Sequence, residues 1–188
     1  MISDVKSTLS KYIKSSCVVS VSFERGYGIV PARFELCINK SGKEYRLDVE
    51  SNFRVLQNGK SILSFDDMFL DRCGHEFSVE EYQSQRGIEK SLLSCTLSNL
   101  IDLCIGKRIA RVLISMCGDI TLLIRPKIEM QIINDSHNVD AVLFRLRDLQ
   151  KTKIYLTKNG KKEELLSTIF EVRSSTTGDL LVSWKEND

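Results

Sequence analysis

The spacing of apolar residues changes period several times along the chain, and each change marks an element. Ile2, Val5, Leu9, Tyr12 and Ile13 recur at steps of three and four, which places them on one face of a helix, with Ser3 or Asp4 suited to cap its start. In "CVVSVSF" the period drops to two. Val19, Val21 and Phe23 alternate with Ser20 and Ser22, as in a half-buried strand. "ERGYGIVPAR" breaks the pattern with two Gly and a Pro. Phe34, Leu36 and Ile38 then alternate, "KSGK" supplies a turn, and Tyr45, Leu47 and Val49 alternate with Glu44, Arg46, Asp48 and Glu50. This is a hairpin with one apolar and one charged face. Asn58-Gly59 centres another pair, with a favoured two-residue turn.

Residues 66–90 lose the periodicity. They carry seven acids against three bases and read as an exposed connection with a short helical turn. A second helix follows, with Leu93, Leu97, Leu100, Ile101 and Cys104 on one face. Gly106 stands where the helix end wants positive φ, with Lys107 and Arg108 beside it. Strands are expected at Ile109–Met116, Ile120–Arg125 and Ile128–Ile133, separated by a Cys117-Gly118-Asp119 turn and by Pro126. A further strand sets Val142, Phe144 and Leu146 on one face, and "TTGDLLVSWK" closes the chain as a strand.

The pattern therefore predicts an α+β fold, mainly antiparallel β. It has two helix-plus-sheet halves, residues 1–90 and 91–188, packed as one compact unit. The halves read alike at an offset of roughly 85–90 residues, as a degenerate internal duplication would, although their identity is negligible. Each half leaves an open sheet edge and an apolar face, which are most cheaply covered by the other half.

Composition narrows the function. With 27 basic and 25 acidic residues the net charge is +2, too balanced to argue for nucleic acid by bulk electrostatics. The six Cys are irregularly spaced, no CxxC occurs, and the N-terminus lacks a secretory pattern. They read as small buried hydrophobes in a reducing cytoplasm. No run approaches the roughly 18 apolar residues of a membrane span.

Candidate chemistry is sparse. "DDMFLDRCGHE" brings Asp66, Asp67, Asp71, His75 and Glu76 close in sequence, the ligand types of a metal-assisted hydrolase. The spacing matches no helix-borne metal motif, and a solvated acidic loop is the plainer reading. Cys73 and His75 are a nucleophile and base by type, but sequence neighbours rarely face each other suitably. "RGYGIV" lacks the third Gly and the following helix of a phosphate loop. Residues 145–165 carry Arg145, Arg147, Lys151, Lys153, Lys158, Lys161 and Lys162, which would make a nucleic-acid-binding module or, more plainly, a solvated face.

The string "LIDLCIGKRIARVLISMCGDITLLI…IEMQIINDSHNVDAVLFRL" resembles a small bacterial β-domain with an "IGK" opening, a Gly-Asp turn and an "LLI" strand. "FELCINKSGKEYRLDVESNFRVLQNGKSILSFDD" resembles the companion region. Together, over about 100 residues by this comparison of motifs, the chain resembles immunity proteins of bacterial polymorphic toxin systems, including contact-dependent growth inhibition. The resemblance implies a cytoplasmic toxin inhibitor rather than an enzyme. It would bind the C-terminal toxin domain of its cognate effector as a 1:1 heterodimer, without cofactor, metal, membrane or direct nucleic-acid contact. If that toxin is a basic nuclease, the local acidity nominates Asp66, Asp67, Asp71, Glu76, Glu80 and Glu81 as its binding surface.

Overall fold

The computed structural model describes residues 2–24, 33–78, 91–134, 142–156, 162–175 and 179–184. Helix α1 (Ile2–Tyr12) leads into five strands: β1 (Cys17–Glu24), β2 (Arg33–Lys40), β3 (Lys43–Val49), β4 (Phe53–Gln57) and β5 (Lys60–Ser64). The helix begins one residue earlier than its cap candidates, so Ser3 and Asp4 lie inside the first turn. Asp4 there faces the positive end of the helix dipole. Val5, Leu9 and Ile13 are fully buried, as their spacing requires. Both two-residue turns have the left-handed backbone that matches strand twist, with φ 53° and 83° at Ser41-Gly42 and 54° and 77° at Asn58-Gly59.

Strand β1 departs from the expected alternation. The pairing of β1 with β2 skips Val19, because Val18 lies opposite Ile38 and Ser20 opposite Cys37. This one-residue bulge reverses the pleat, so Val18 and Val21 enter the core while Val19 is 41% exposed.

A 3-10 turn (Phe65–Phe69) follows β5. Helix α2 (Leu92–Cys104) then opens the second half, with strands β6 (Ile109–Ile114), β7 (Ile120–Ile124), β8 (Ile128–Ile132), β9 (Val142–Leu156), β10 (Lys162–Ser174) and β11 (Leu180–Trp184). Ser91 caps α2, its hydroxyl accepting the Ser94 N–H at 3.2 Å. Gly106, at φ 73°, ends it as the sequence predicts.

Two antiparallel sheets result, ordered β1-β2-β3-β9-β10-β11 and β5-β4-β8-β7-β6. Exchanging β1–β5 for β6–β10 turns the first five positions of one order into the other. Each half supplies a three-strand meander to one sheet and sends its next hairpin into the opposite sheet. The helices follow the exchange in part: α1 packs on β6 as α2 packs on β1, while α1 also packs on β11 and α2 on β5. The two halves are stitched within each sheet, at the ends of the β3–β9 and β4–β8 ladders where the chain leaves one sheet for the other. The Glu50 N–H donates to the Leu143 carbonyl at 2.9 Å, and the Ile133 N–H to that of Asn52 at 2.8 Å. A second seam pairs the start of β1 with the approach to β6, through Val18 N–H to Lys107 O and Gly106 N–H to Val18 O, each 2.9 Å. The inner faces of both sheets and both helices share one apolar cluster that includes Phe34, Leu47, Phe53, Phe144, Phe170 and Ile120. Burial of this cluster is the main force holding the fold.

Candidate functional site

The described part of the acidic connection between β5 and α2, residues 65–78, is largely exposed yet tied down. Its backbone is held to its surroundings by Phe77 N–H to Phe69 O at 2.9 Å and Leu92 N–H to Leu70 O at 2.8 Å. Asp67 closes the 3-10 turn, its Oδ2 accepting the Ser64 N–H at 2.7 Å. Asp71 shapes the next turn. Its Oδ1 accepts the N–H of Cys73 at 2.7 Å and of His75 at 2.9 Å, around Gly74 at φ 84°. These backbone donors, first that of His75, hold the Asp71 carboxyl below the usual carboxylate range.

The six nominated acids therefore divide. Asp67 and Asp71 spend oxygens on the local backbone, whereas Asp66 and Glu76 are exposed. Glu80 and Glu81 lie outside the described residues. An unpredicted partner joins them. Phe34 and Phe53 meet at 4.8 Å between ring centres, Phe53 and Phe65 at 6.1 Å, and Phe65 and Phe69 at 6.0 Å. This aromatic series runs from the core to the surface, where Phe69 is 39% exposed. The "SFDDMF" stretch carries the signal in retrospect, since two aromatics four apart bracket the two acids.

Among the described residues, one group of donors could hold a metal ion: Asp71, Cys73 and His75, whose donor atoms lie within 4.8 Å of one another. Asp66 and Glu76, which the sequence places beside Asp71 and His75, are not part of this group. Cys73, which the sequence offers only as a nucleophile, replaces them.

The charged face of the β2–β3 hairpin is a different kind of site from the one its alternation implies. Cross-strand register lines up Ser22, Glu35, Asp48, Arg145, Glu171 and Ser183 across six strands. Arg46 and Arg147 stand in the neighbouring row. Asp48 is fully buried and Glu171 only 2% exposed. Arg46 Nε donates to Asp48 Oδ1 at 2.6 Å, and Arg147 Nε donates to Asp48 Oδ2. Arg145 reaches Glu50 and, at 3.2 Å, Glu171, while Arg173 binds Glu171 at 2.7 Å. Burial works against the Arg46 charge, but Asp48 and Glu35 outweigh it and hold the guanidinium pKa above its ordinary value. The basic stretch 145–165 is thus not simply a solvated face. Arg145 and Arg147 are committed to this lattice. Lys151 is exposed, and the side chains of Lys153, Lys158, Lys161 and Lys162 lie outside the described set.

The cysteines are free, but not uniformly buried. Cys104 is buried, and burial pushes its thiol pKa up to about 11. Cys73 and Cys117 are exposed instead, because both sit in turns. An open groove of about 330 Å³ crosses β6–β8, lined by Arg111, Arg125, Lys127 and Glu129 among others. No described helix is long and apolar enough to cross a membrane.

Compared with protein families, curated proteins and solved structures, the chain matches none of them.

Proposed function

We propose that the protein is a recognition protein of the immunity class, which binds the C-terminal toxin domain of a cognate effector one-to-one and blocks it in the cytoplasm. The observation that carries this reading is the form of the acidic connection. Asp66 and Glu76 project from a backbone held by Asp67, Asp71 and α2, beside the partly exposed Phe69. A fixed frame lowers the ordering cost of binding. A partly exposed aromatic with exposed acids nearby in the same connection suits a basic partner such as a nuclease, because charge complementarity speeds the encounter and the aromatic supplies a contact that water leaves. The free thiols at Cys73 and Cys117 fit a reducing compartment.

The test is calorimetric titration of the intact protein with a catalytically inactivated toxin domain encoded next to it. One-to-one binding on the order of nanomolar Kd is expected. Asp66→Lys with Glu76→Lys should slow association and flatten or invert its dependence on salt, and Phe69→Ala should speed dissociation. Absence of binding by the intact protein removes the immunity reading. Tight binding that all three substitutions leave untouched moves the interface away from the connection.

A further inference from the structure

We propose that the turn formed by Asp71, Cys73 and His75 is a binding site for one borderline-soft divalent cation, Zn²⁺ above all. The inference is independent of toxin binding. Three donors of different chemistry converge here within 4.8 Å, and each belongs to the zinc repertoire of thiolate, imidazole and carboxylate. Bond lengths of about 2.0–2.3 Å to zinc require neighbouring donors to approach more closely than that limit. Cys73 and His75 are both exposed, so ordinary rotamer changes can supply the movement.

The backbone of the turn is already set for it. Asp71 Oδ1 is occupied by the N–H groups of Cys73 and His75, which fixes the two ligand-bearing residues relative to the carboxylate. Oδ2 remains on the side of the imidazole, 3.5 Å from His75 Nδ1. Gly74 at φ 84° provides the reversal that brings residues 73 and 75 to the same side as residue 71, and a side chain there would be strained. The turn is also tied to the rest of the fold, since Asp71 bridges Ser91 at the start of α2.

The donor set selects the ion. Sulfur and nitrogen disfavour Mg²⁺ and Ca²⁺, which require oxygen, and favour Zn²⁺, Co²⁺ or Ni²⁺. Binding forms one metal–sulfur, one metal–nitrogen and one metal–oxygen bond. The Cys73 thiol gives its proton to solvent as the thiolate binds, so affinity falls as pH is lowered. Three protein ligands leave a fourth position for water or for a donor from a partner.

The experiment uses the full chain, stripped of metal by a chelator and kept reduced, and titrated with Zn²⁺ by calorimetry and with Co²⁺ by absorption. The expected result is one equivalent of either ion, with a thiolate-to-cobalt charge-transfer band. Cys73→Ser should abolish that band. His75→Ala and Asp71→Asn should weaken zinc binding about tenfold or more. Cys117→Ser, which removes the other exposed thiol, should change nothing. All these positions are in surface turns, and circular dichroism of each variant confirms that it is folded. Two outcomes would overturn the proposal: no stoichiometric binding by the intact protein, or binding and a cobalt band that persist in Cys73→Ser.

Discussion

Asp48 on β3 and Arg147 on β9 lie 99 positions apart in sequence, yet the Arg147 Nε donates to the Asp48 carboxylate across the join between the two halves of the chain. The carboxylate is fully buried, and Arg46 holds its other oxygen. Burying a charge is costly unless it is paired, so this acid is tolerated only because two guanidinium groups cover it. Asp48→Ala leaves both arginines beside a vacated, part-buried space. We expect a loss of about 2–4 kcal/mol, read as a lower urea midpoint at unchanged slope. Arg173→Ala removes a partner of Glu171 that is itself 36% exposed, and should cost about 1 kcal/mol or less.

The turn at Asp71 gives a pH-dependent prediction. Its carboxyl is held below the usual range by the N–H groups of His75 and Cys73. A folded-state pKa below the unfolded value adds stability above the unfolded pKa, and that stability is lost as pH falls through the folded one. The His75 and Cys73 amides should therefore exchange faster with solvent as pH drops below about 4, the ordinary aspartate value, after correction for intrinsic exchange. In Asp71→Asn that acid step should vanish, with amide resonances followed by NMR as the readout.

Thiol reactivity should sort by position. Cys73 and Cys117 are exposed in turns, and a colorimetric disulfide reagent at pH 8 should modify both within the first phase. Cys104 is buried on α2 with its thiol pKa pushed up to about 11, so it should react only after denaturant is added. Mass spectrometry of the first-phase product assigns the sites. Early labelling of Cys104 would show that α2 opens readily from β1 and β5.

What could be read in the sequence was what local periodicity encodes. The faces of α1 and α2, the Asn58-Gly59 turn and the positive φ at Gly106 all depend on residues within a few positions of one another. The α+β, mainly antiparallel architecture follows from counting those elements. The burial of Asp48 and Glu171 was not legible, because it depends on a register between β3, β9 and β10 that no local pattern contains. The charges look the same on a solvated face and in a lattice until their partners are known. The Asp71–Cys73–His75 group was half legible. Its residues stand out in the sequence by type, but the backbone reversal at Gly74 decides which of them meet.

The Gly118 turn tests how closely the second half is packed. Gly118 has φ 84°, and a Cβ added there would fall 2.5 Å from the Asn134 Nδ2. That amide donates to the Cys117 carbonyl at 2.9 Å, while the Asn134 N–H donates to the Asp119 carboxylate at 2.9 Å. Gly118→Ala thus meets a backbone conformation unfavourable to side chains and a neighbour fixed at both ends. The expected cost is about 1–3 kcal/mol in equilibrium unfolding. Gly42→Ala supplies the contrast, since its φ of 83° carries the same backbone penalty but nothing lies within 4 Å of the added atom. The difference between the two variants measures the contacts with Asn134 and with Leu180, whose Cδ2 would lie 3.3 Å from the added atom.

The bulge in β1 reverses the ranking that simple alternation gives for its valines. Alternation would put Val19 in the core and Val18 outside, whereas the skipped pairing buries Val18 to 1% exposure and leaves Val19 at 41%. Val18→Ala should cost about 1.5–3 kcal/mol, for the lost methyl burial and the cavity left in the apolar cluster. Val19→Ala should stay within about 0.5 kcal/mol of the parent. Chemical denaturation of the two variants side by side decides it. Equal losses, or a larger loss at Val19, would mean that β1 pairs with β2 in unbroken register. In that case the seam from Val18 to Gly106 and Lys107, which depends on the bulge to turn Val18 inward, would have to form differently.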